Sequence, residues 1–576
     1  MVCLTLNECE YPSWYPITTL GKNKLNEETD GYQVCFVSEG TVSRDIEPGT
    51  IAIAPSADGW NDFGERIRID IVIQPRGETK FRDKRLELIG FFSFLEAQGE
   101  NSDTVPLREL IDKNQDTRLP ASEVPTFFTM LPEISSYRRV VGLLGPEEGR
   151  LALCAINDIV EAEDKPANKP WLRIARENRL FLTAFLRYSE PYFTWKNAAP
   201  ILRGVDYEEL DRMSDGLRIR FQLAGRSNEH DLKFRFSHTK SVLPQRFAVV
   251  IGKNGVGKSQ TLAQIVNAAL LGREKLTDLE GERPLISRVL CFYPSAATSS
   301  VFPQDRRKRA RVWYRRFAMV SGRSRQTTSD LILQLARSLE SIGGQSRYDI
   351  FLKAITAIDG YLELALRVKS GEGEPISVHK LNQGGEQRRI ERYSSINVRV
   401  EPVREINGAT YPLSSGELSF LRFAALAALY IENGTLLLFD EPETHLHPNF
   451  INQFVALLDG LLEQTGSAAI IATHSVYFVR EVLEDQVVVL RTDTNRNVTA
   501  ETPTLKTFGA DVGAISYFVF GEDQPSRLAR EVDTKIREQS ASWESIFEQY
   551  KDLISLDLLG EIRAGIEGTD QEDDEQ

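Results

Sequence analysis

The sequence predicts an α/β protein in which a mostly parallel sheet, covered by helices on both faces, follows a strand-rich mixed region. From about residue 211 onward, short apolar strands alternate with helical segments, which is typical of a parallel sheet. Before that point, alternating apolar stretches occur at Tyr32–Val37, Thr50–Ala54 and Ile67–Ile73. Alternation with a period of two residues indicates half-buried strands.

Composition favours a multidomain protein of the cell interior. The chain has 576 residues, 41% of them hydrophobic and 26% charged, and a formal net charge of −14. Its longest apolar run, from Phe423 to Ile431, is far too short to span a bilayer. The amino terminus is acidic and lacks the order of a secretory signal. Five scattered cysteines without a CxxC pair fit a reducing compartment. We therefore expect a cytoplasmic protein without membrane attachment.

The pattern divides the chain into three parts. Residues 1–210 are expected to form a strand-rich N-terminal domain of unknown role, with helices at Arg82–Gln98 and Arg173–Tyr188. Residues 211–520 are expected to form the main domain, with a helical lobe at about 300–430, and residues 521–576 a helical segment with an acidic tail. In the main domain, the predicted strands are Leu217–Leu223, Leu232–Phe236, Phe247–Ile251, Ile286–Tyr293, Thr435–Phe439, Ala468–Ala472 and Gln486–Leu490. The predicted helices are Ser259–Leu270, Ser329–Ile342, Tyr348–Val368, Glu417–Ile431 and Asn449–Glu463.

A complete G-x-x-x-x-G-K-[ST] phosphate loop lies between the strand Phe247–Ile251 and a helix. Its glycines let backbone N–H groups curl around a polyphosphate, and the start of the helix adds partial positive charge. Lys258 would reach the β- and γ-phosphates of ATP, and the Ser259 hydroxyl would bind Mg²⁺. An ordinary strand–turn–helix with chance glycines is the alternative. The residues expected to contact the nucleotide are Gly252, Asn254, Gly255, Val256, Gly257, Lys258, Ser259 and Gln260.

Two carboxylates, Asp440 and Glu441, follow the apolar strand at Thr435–Phe439. Sheets of this class place their ligands at the carboxyl ends of the strands. Asp440 suits the role of holding Mg²⁺, and Glu441 that of a base orienting the attacking water. A buried strand ending in acids is a weak signal alone, but the upstream phosphate loop strengthens it.

Two weaker features complete the set. Leu413–Glu417 immediately precedes a helix, where Ser414 and Gly416 present a hydroxyl and free N–H groups as a second anion-binding surface. A simple N-cap is the alternative. His474 follows the strand Ala468–Ala472, beside the expected position of the γ-phosphate, although a single histidine there is usually structural.

In this order, the four elements resemble the ABC-type ATPases over roughly residues 211–520. The resemblance implies an ABC-type P-loop ATPase head with a helical lobe. It also implies that Leu413–Glu417 is the signature motif, Asp440–Glu441 the Walker B pair and His474 the switch histidine. Two positions depart from transporters, which usually have Gly at Ser415 and Gln at Glu417.

The segment EPETHLHP at 441–448 is similar to the RecF/SMC-like and OLD-like branch, as are Thr507–Ala510 and Val519–Gly521. Within that branch, the chain most resembles the ATPase subunit (PtuA-like) of Septu and retron-associated anti-phage systems. This resemblance implies an ATP-linked homodimer with composite sites that either acts on nucleic acid (DNA or RNA) or restrains a partner effector nuclease of the HNH type in anti-phage defence. An ABC transporter subunit and a self-contained OLD-type nuclease are alternatives. Residues 521–576 are too few to build the nuclease domain of the latter.

One concentrated basic segment is a candidate for nucleic-acid binding, because arginines donate to phosphates while Trp313 and Tyr314 could stack on bases. A charged surface helix that pairs with acids is the alternative. The basic residues are Arg306, Arg307, Lys308, Arg309, Arg311, Arg315 and Arg316.

Two further possibilities remain open. Gln304 follows the strand Ile286–Tyr293 and could couple the γ-phosphate to the helical lobe, but a surface glutamine is the alternative. His445 and His447 near Asp440 could bind zinc, although the resemblance places this loop at a dimer interface.

Overall fold

The structure is a computed structural model. It describes residues 31–39, 46–57, 66–76, 85–95, 107–113, 118–164, 169–223, 228–239, 241–295, 301–305, 310–320, 326–370, 373–445, 448–493, 497–520, 527–537, 543–551, 553–554, 558–560 and 562–564. In these ranges, no helix has both the length and the apolar composition needed to cross a bilayer.

In the described N-terminal region, six strands form one sheet. They are β1 (Gln33–Phe36), β2 (Thr50–Pro55), β3 (Arg68–Ile73), β4 (Leu86–Phe94), β5 (Leu119–Pro120) and β6 (Phe127–Met130). Their order is β5-β1-β2-β3-β4-β6; β1 and β2 pair in parallel, and the other neighbours are antiparallel. The three strands predicted here are confirmed, and their apolar side chains form a core with the helices that follow.

The helix predicted at Arg82–Gln98 is wrong, because Leu86–Phe94 form strand β4. This strand pairs with β3 along its first part and with β6 along its last. Its burial alternates at first and then becomes continuous over the aromatic residues. Pairing with two neighbours buries an apolar run whose spacing resembles one face of a helix.

The helix predicted at Arg173–Tyr188 is interrupted. The N-terminal helices are α1 (Leu107–Lys113), α2 (Ile134–Leu144), α3 (Pro146–Ala155), α4 (Ile159–Asp164), α5 (Trp171–Glu177), α6 (Arg179–Thr183) and α7 (Ser189–Asn197). Between α5 and α6, the Asn178 side chain accepts hydrogen bonds from the backbone N–H groups of Leu180 at 2.8 Å and Phe181 at 3.3 Å. Asn178 therefore caps a new helix and ends the preceding one.

The main region begins with a small sheet and the first strands of the central sheet. Its first elements are β7 (Gly216–Gln222), β8 (Glu229–Arg235), β9 (Phe247–Gly252), α8 (Lys258–Leu271), β10 (Leu276–Thr277), β11 (Arg288–Ser295) and β12 (Trp313–Val320). The small antiparallel sheet has the order β10-β7-β8.

A lobe of helices and short antiparallel strands follows. It contains α9 (Thr328–Arg337), β13 (Ser341–Ile342), β14 (Gln345–Ser346), α10 (Arg347–Ile355), β15 (Leu364–Leu366), β16 (Ile376–Ser377), α11 (Glu386–Ser395), β17 (Val403–Ile406), β18 (Ala409–Pro412) and α12 (Ser415–Tyr430). The helix predicted at Tyr348–Val368 is wrong in its second half, where a left-handed turn at Gly360 leads into β15. The helix predicted at Ser329–Ile342 ends at Arg337.

The chain then returns to the central sheet. The remaining elements are β19 (Leu436–Asp440), α13 (Pro448–Thr465), β20 (Ala468–Thr473), α14 (Val476–Val479), β21 (Val487–Thr492), β22 (Val498–Glu501), α15 (Val512–Phe520), α16 (Arg527–Arg537) and α17 (Trp543–Tyr550). Among the described residues, the central sheet has the order β12-β11-β19-β20-β9-β21-β22, parallel from β12 to β21. One face packs against α8 and the other against α12 and α13.

This arrangement confirms the predicted parallel sheet with helices on both faces. It aligns β9, β20 and β19 side by side, so their carboxyl ends meet at one edge. The division of the chain at residues 210 and 520 stays a prediction, and buried polar contacts cross the first of these boundaries.

Candidate functional site

The predicted phosphate loop joins the buried strand β9 to helix α8. Two of its glycines adopt positive φ angles, 82° at Gly255 and 104° at Gly257. The φ angle at Gly257 favours glycine, and a Cβ atom there would also lie 2.6 Å from Leu223 Cδ1, so that side chain would have to move. The loop thereby turns tightly ahead of a helix N-terminus, which is the geometry that favours an anion.

The remaining predicted contact residues surround this loop. Val256 is buried, whereas Asn254 and Gln260 are exposed, and Ser259 occupies the first turn of α8. Val256 therefore anchors the loop on the core, and the two polar side chains face outward.

Lys258 lies buried across the loop. Its Nζ donates hydrogen bonds to the carbonyl oxygens of Gly252 at 2.9 Å and Lys253 at 3.2 Å. Burial lowers the pKa of Lys258, while the carboxylates at the end of β19 oppose this shift. The ammonium group is therefore held where a phosphate could replace the loop carbonyls as its partner.

Asp440 ends β19 next to the first turn of α8. Burial raises the pKa of Asp440 to about 6, and the neighbouring Glu441 and Glu443 add to the rise. A hydrogen bond with the Ser259 side chain and the charge of Lys258 oppose it. Within the described residues, Asp440 Oδ1 is buried without a hydrogen-bond partner. A carboxylate oxygen beside a hydroxyl is a donor set that fits Mg²⁺.

Glu441 turns the chain sharply after β19. Its φ of 46° lies in the left-handed region, which is uncommon for a residue other than glycine. Its backbone N–H donates to the Ala472 carbonyl oxygen at 2.8 Å, and the Thr444 hydroxyl donates to the Glu441 carbonyl oxygen at 2.9 Å. These contacts fix the strained residue at the sheet edge, beside Lys258.

Glu443 is a buried residue of the site to which the sequence assigned no role. Its Oε1 accepts hydrogen bonds from the Thr473 hydroxyl at 2.5 Å and the His474 backbone N–H at 2.8 Å. The same oxygen lies 3.1 Å from His474 Nδ1, and the His474 side chain is 49% exposed. The buried Glu443 carboxylate thus orients the exposed imidazole of His474. Its signal in the sequence is an acid two positions after Glu441.

The proposed signature segment forms the start of α12. Ser414 and Glu417 make a capping box: the Ser414 hydroxyl accepts from the Glu417 N–H at 3.3 Å, and the Glu417 carboxylate accepts from the Ser414 N–H at 2.8 Å. Arg404 donates to the same carboxylate at 2.9 Å. Ser414 and Ser415 are exposed, and Gly416 is buried.

Ser414 therefore forms the N-cap that the sequence offers as the alternative, and the N-terminus of α12 lies at the surface. Among the described residues, the polar contacts of Ser414 and Glu417 stay within the helical lobe. The structure therefore brings Lys258, Ser259 and Asp440 together within one chain, but not Ser414 with them.

The basic segment is described only in part, because Arg306, Arg307, Lys308 and Arg309 lie outside the described residues. From Trp313 onward it forms the edge strand β12, so the alternative of a charged surface helix is wrong there. Arg311 and Arg315 are exposed, and Arg316 donates to the Phe302 carbonyl oxygen at 2.8 Å.

The two aromatic residues of this segment are engaged inside the protein. The Arg288 guanidinium lies 4.8 Å from the centroid of the Trp313 ring, which also stacks on Tyr430 with 6.2 Å between centroids. Tyr314 is buried, and its hydroxyl donates to the Pro303 carbonyl oxygen at 2.9 Å. Burial of Tyr314 contradicts base stacking by its ring, whereas Trp313 is half-buried and its stacking on bases stays a prediction.

The remaining candidates contribute less. Gln304 is exposed in the loop after β11. His447 and the side chain of His445 lie outside what the structure describes. Zinc binding by these two histidines therefore stays a prediction. In the described part of the chain, no group of three or more His, Cys, Asp and Glu side chains is arranged to hold a metal.

Comparison with known proteins identifies a related domain in this region. Residues 383–480, which include α12, β19 and β20, match the family described as "AAA domain, putative AbiEii toxin, Type IV TA system". Protein ea59 of Escherichia phage lambda is 31% identical over 165 residues, or 28% of this chain and 30% of that protein. The chain therefore spans about a third of the length of this relative.

Similar solved structures include UvrA2 from Deinococcus radiodurans (14% identity, TM-score 0.26, 51% of this chain and 38% of that chain). They also include cbiO1 from Clostridium perfringens, part of the ABC transporter complex cbiONQ (13%, 0.27, 57% and 97%). TM-scores this low carry no argument, so the fold class is assigned from the topology, the site and the family match. The topology defines an α/β fold in which a mostly parallel sheet with a phosphate loop and a helical lobe follows a strand-rich N-terminal region, and the family match relates residues 383–480 to an AAA domain.

Glu443→Gln tests the positioning role of this carboxylate. Hydrogen bonds to a neutral amide oxygen are weaker than those to a carboxylate, so His474 should be held less firmly. We expect ATP turnover to fall by roughly ten-fold or more, with little change in nucleotide affinity. Glu481→Gln, which removes the charge of a partly buried carboxylate beside Arg480, is the control. Equal turnover of the two variants in a phosphate-release assay would contradict the role.

Proposed function

We propose that this protein binds and hydrolyses ATP at the edge formed by β9, β20 and β19. The observation that favours this most is the buried Lys258 ammonium, held over the phosphate loop beside an Asp440 oxygen that has no partner among the described residues. A cation and an unsatisfied carboxylate at the carboxyl edge of a parallel sheet are suited to a nucleotide with its metal ion.

Each residue then has a defined task. Lys258 would exchange its loop carbonyls for oxygens of the β- and γ-phosphates. Bound Mg²⁺ would neutralise charge that develops on the phosphates, and Ser259 and Asp440 would hold it. Glu441 would accept a hydrogen bond from the attacking water and orient it in line with the γ-phosphate. His474, supported by Glu443, would contact the γ-phosphate from the end of β20.

Two substitutions separate binding from hydrolysis. Lys258→Ala should abolish ATP binding, because it removes the cation that reaches the phosphates. Glu441→Gln should bind ATP but hydrolyse it very slowly, since Asp440 remains while the water-orienting carboxylate is lost. Calorimetric titration and single-turnover kinetics measure the two steps. Near wild-type turnover by Glu441→Gln would refute the assignment of the base.

The protein is proposed to act as a homodimer in which α12 of one chain completes the phosphate loop of the other. Support comes from the start of α12, where Ser414 and Ser415 are exposed and the polar contacts of Ser414 lie away from the phosphate loop of its own chain. Two composite sites would then form across a two-fold axis.

Mixed dimers test this arrangement. Lys258→Ala disables a site through its own loop, whereas Ser414→Arg would block the phosphate of the facing chain. Each homodimer should be inactive. In an equal mixture, half the dimers would contain one intact site, which should restore up to roughly a quarter of wild-type ATPase activity. No recovery, with subunit exchange verified by tagged chains, would contradict completion in trans.

We further propose that this ATP-dependent switch acts in bacterial anti-phage defence, where it acts on nucleic acid or restrains a partner effector nuclease of the HNH type. The family description, which refers to a toxin, and the likeness to a phage protein support this proposal. So does the resemblance of the 441–448 segment to the RecF/SMC-like and OLD-like branch, within which the chain most resembles Septu and retron-associated ATPases.

Phage plating tests the defence role. Bacteria that express the chain with its flanking genes should reduce the plating efficiency of at least one phage in a broad panel. The Lys258→Ala version should lose this protection, because the switch can no longer bind ATP. Equal plating on wild-type and Lys258→Ala strains across the panel would refute the role.

A further inference from the structure

The short connection between α12 and β19, Ile431–Thr435, is completely buried. Its only carboxylate, Glu432, accepts hydrogen bonds from Arg138 of α2 at 2.5 Å and from Arg347 of α10 at 3.4 Å. Arg138 also donates to Glu208 at 2.7 and 2.5 Å. Buried charged side chains from distant parts of the chain therefore meet at this connection. They are Arg138, Glu208, Arg347 and Glu432.

The same group of charges satisfies the last turn of α12. Arg347 donates to the carbonyl oxygens of Ala428 at 3.1 Å and Ile431 at 2.5 Å. Arg288 donates to the Tyr430 carbonyl oxygen at 3.4 Å. The last carbonyl groups of a helix lack partners within the helix, and cations there are favoured by the helix dipole. The arginines therefore anchor this end of α12.

The strand that follows has an independent support. β19 is hydrogen-bonded to β11 on one side and to β20 on the other, so the ladders fix its position. The start of α12, in contrast, lies at the surface at Ser414. Movement of Arg138 and Arg347 should therefore displace α12 rather than β19.

We infer that Arg138 and Glu432 are positioning residues that hold α12 so that Ser414 at its start can face the nucleotide of the partner chain. This inference rests on the proposed ATPase function. It also connects the N-terminal region with the composite site, because Arg138 belongs to α2 of that region. Any shift of α2 would be transmitted to α12 through Glu432.

Glu432→Gln and Arg138→Lys are the test variants. The first keeps the shape of the side chain but removes its charge, and the second keeps the charge but cannot reach both carboxylates. Each should lower turnover at saturating ATP by roughly ten-fold or more, while nucleotide affinity changes by less than about two-fold. Glu148→Gln, which removes the carboxylate from a pair with Arg76 in the N-terminal region, is the matched control.

Mixed dimers distinguish positioning of α12 from other effects. A chain in which the start of α12 is displaced still has an intact phosphate loop. Glu432→Gln should therefore complement Lys258→Ala, with recovery up to roughly a quarter of wild-type activity, and should not complement Ser414→Arg. Arg138→Lys, the smaller change, should behave in the same way.

The other outcomes separate the competing explanations. Recovery with Ser414→Arg but not with Lys258→Ala would overturn the inference in favour of an effect on β19 and its carboxylates. Recovery with neither, in variants with wild-type nucleotide affinity, would also overturn it and indicate a structural role. Absence of ATP hydrolysis by the wild-type protein would refute the proposed function, and the inference with it.

Discussion

The parallel alignment of β9, β20 and β19 is the constraint on which the site depends. Because β20 pairs with both neighbours in register, the three carboxyl ends emerge together. Asp440 is the last residue of β19, His474 directly follows β20, and Lys258 follows β9 after the phosphate loop. Their proximity therefore requires no long loop, and the buried apolar strands supply the rigidity that a nucleotide site requires.

The buried charges around Glu432 add a second constraint. Burial by itself would raise the pKa of Glu432, but the charges of Arg138 and Arg347 outweigh this and lower it to about 2. The stabilisation from this group is therefore complete above the unfolded pKa and is lost as pH falls toward 2. Removal of one partner from such a buried group typically costs about 3–5 kcal/mol. The buried charges around Glu432 thus link α2 of the N-terminal region to α10 of the helical lobe.

Much of the central fold could be predicted from the sequence because its signals are local. The phosphate loop, the apolar strands and the capping serine at Ser414 each lie within a few residues. The apolar pattern at Arg82–Gln98 predicts a helix wrongly, because the burial of β4 depends on pairing with β3 and β6. Base stacking by Tyr314 is predicted wrongly, because the sequence does not show that its ring is buried. Glu432 could not be recognised, as its partner Arg138 lies 294 residues away.

The central claim is that the carboxyl edge of this sheet and the start of α12 from a second chain enclose one ATP. A structure of the Glu441→Gln protein with ATP and Mg²⁺, determined by electron cryomicroscopy, tests this most directly. We expect a two-fold dimer with two nucleotides, each between Lys258 of one chain and Ser414 of the other. A nucleotide bound at Lys258 in a single chain, with Ser414 exposed to solvent, would contradict it.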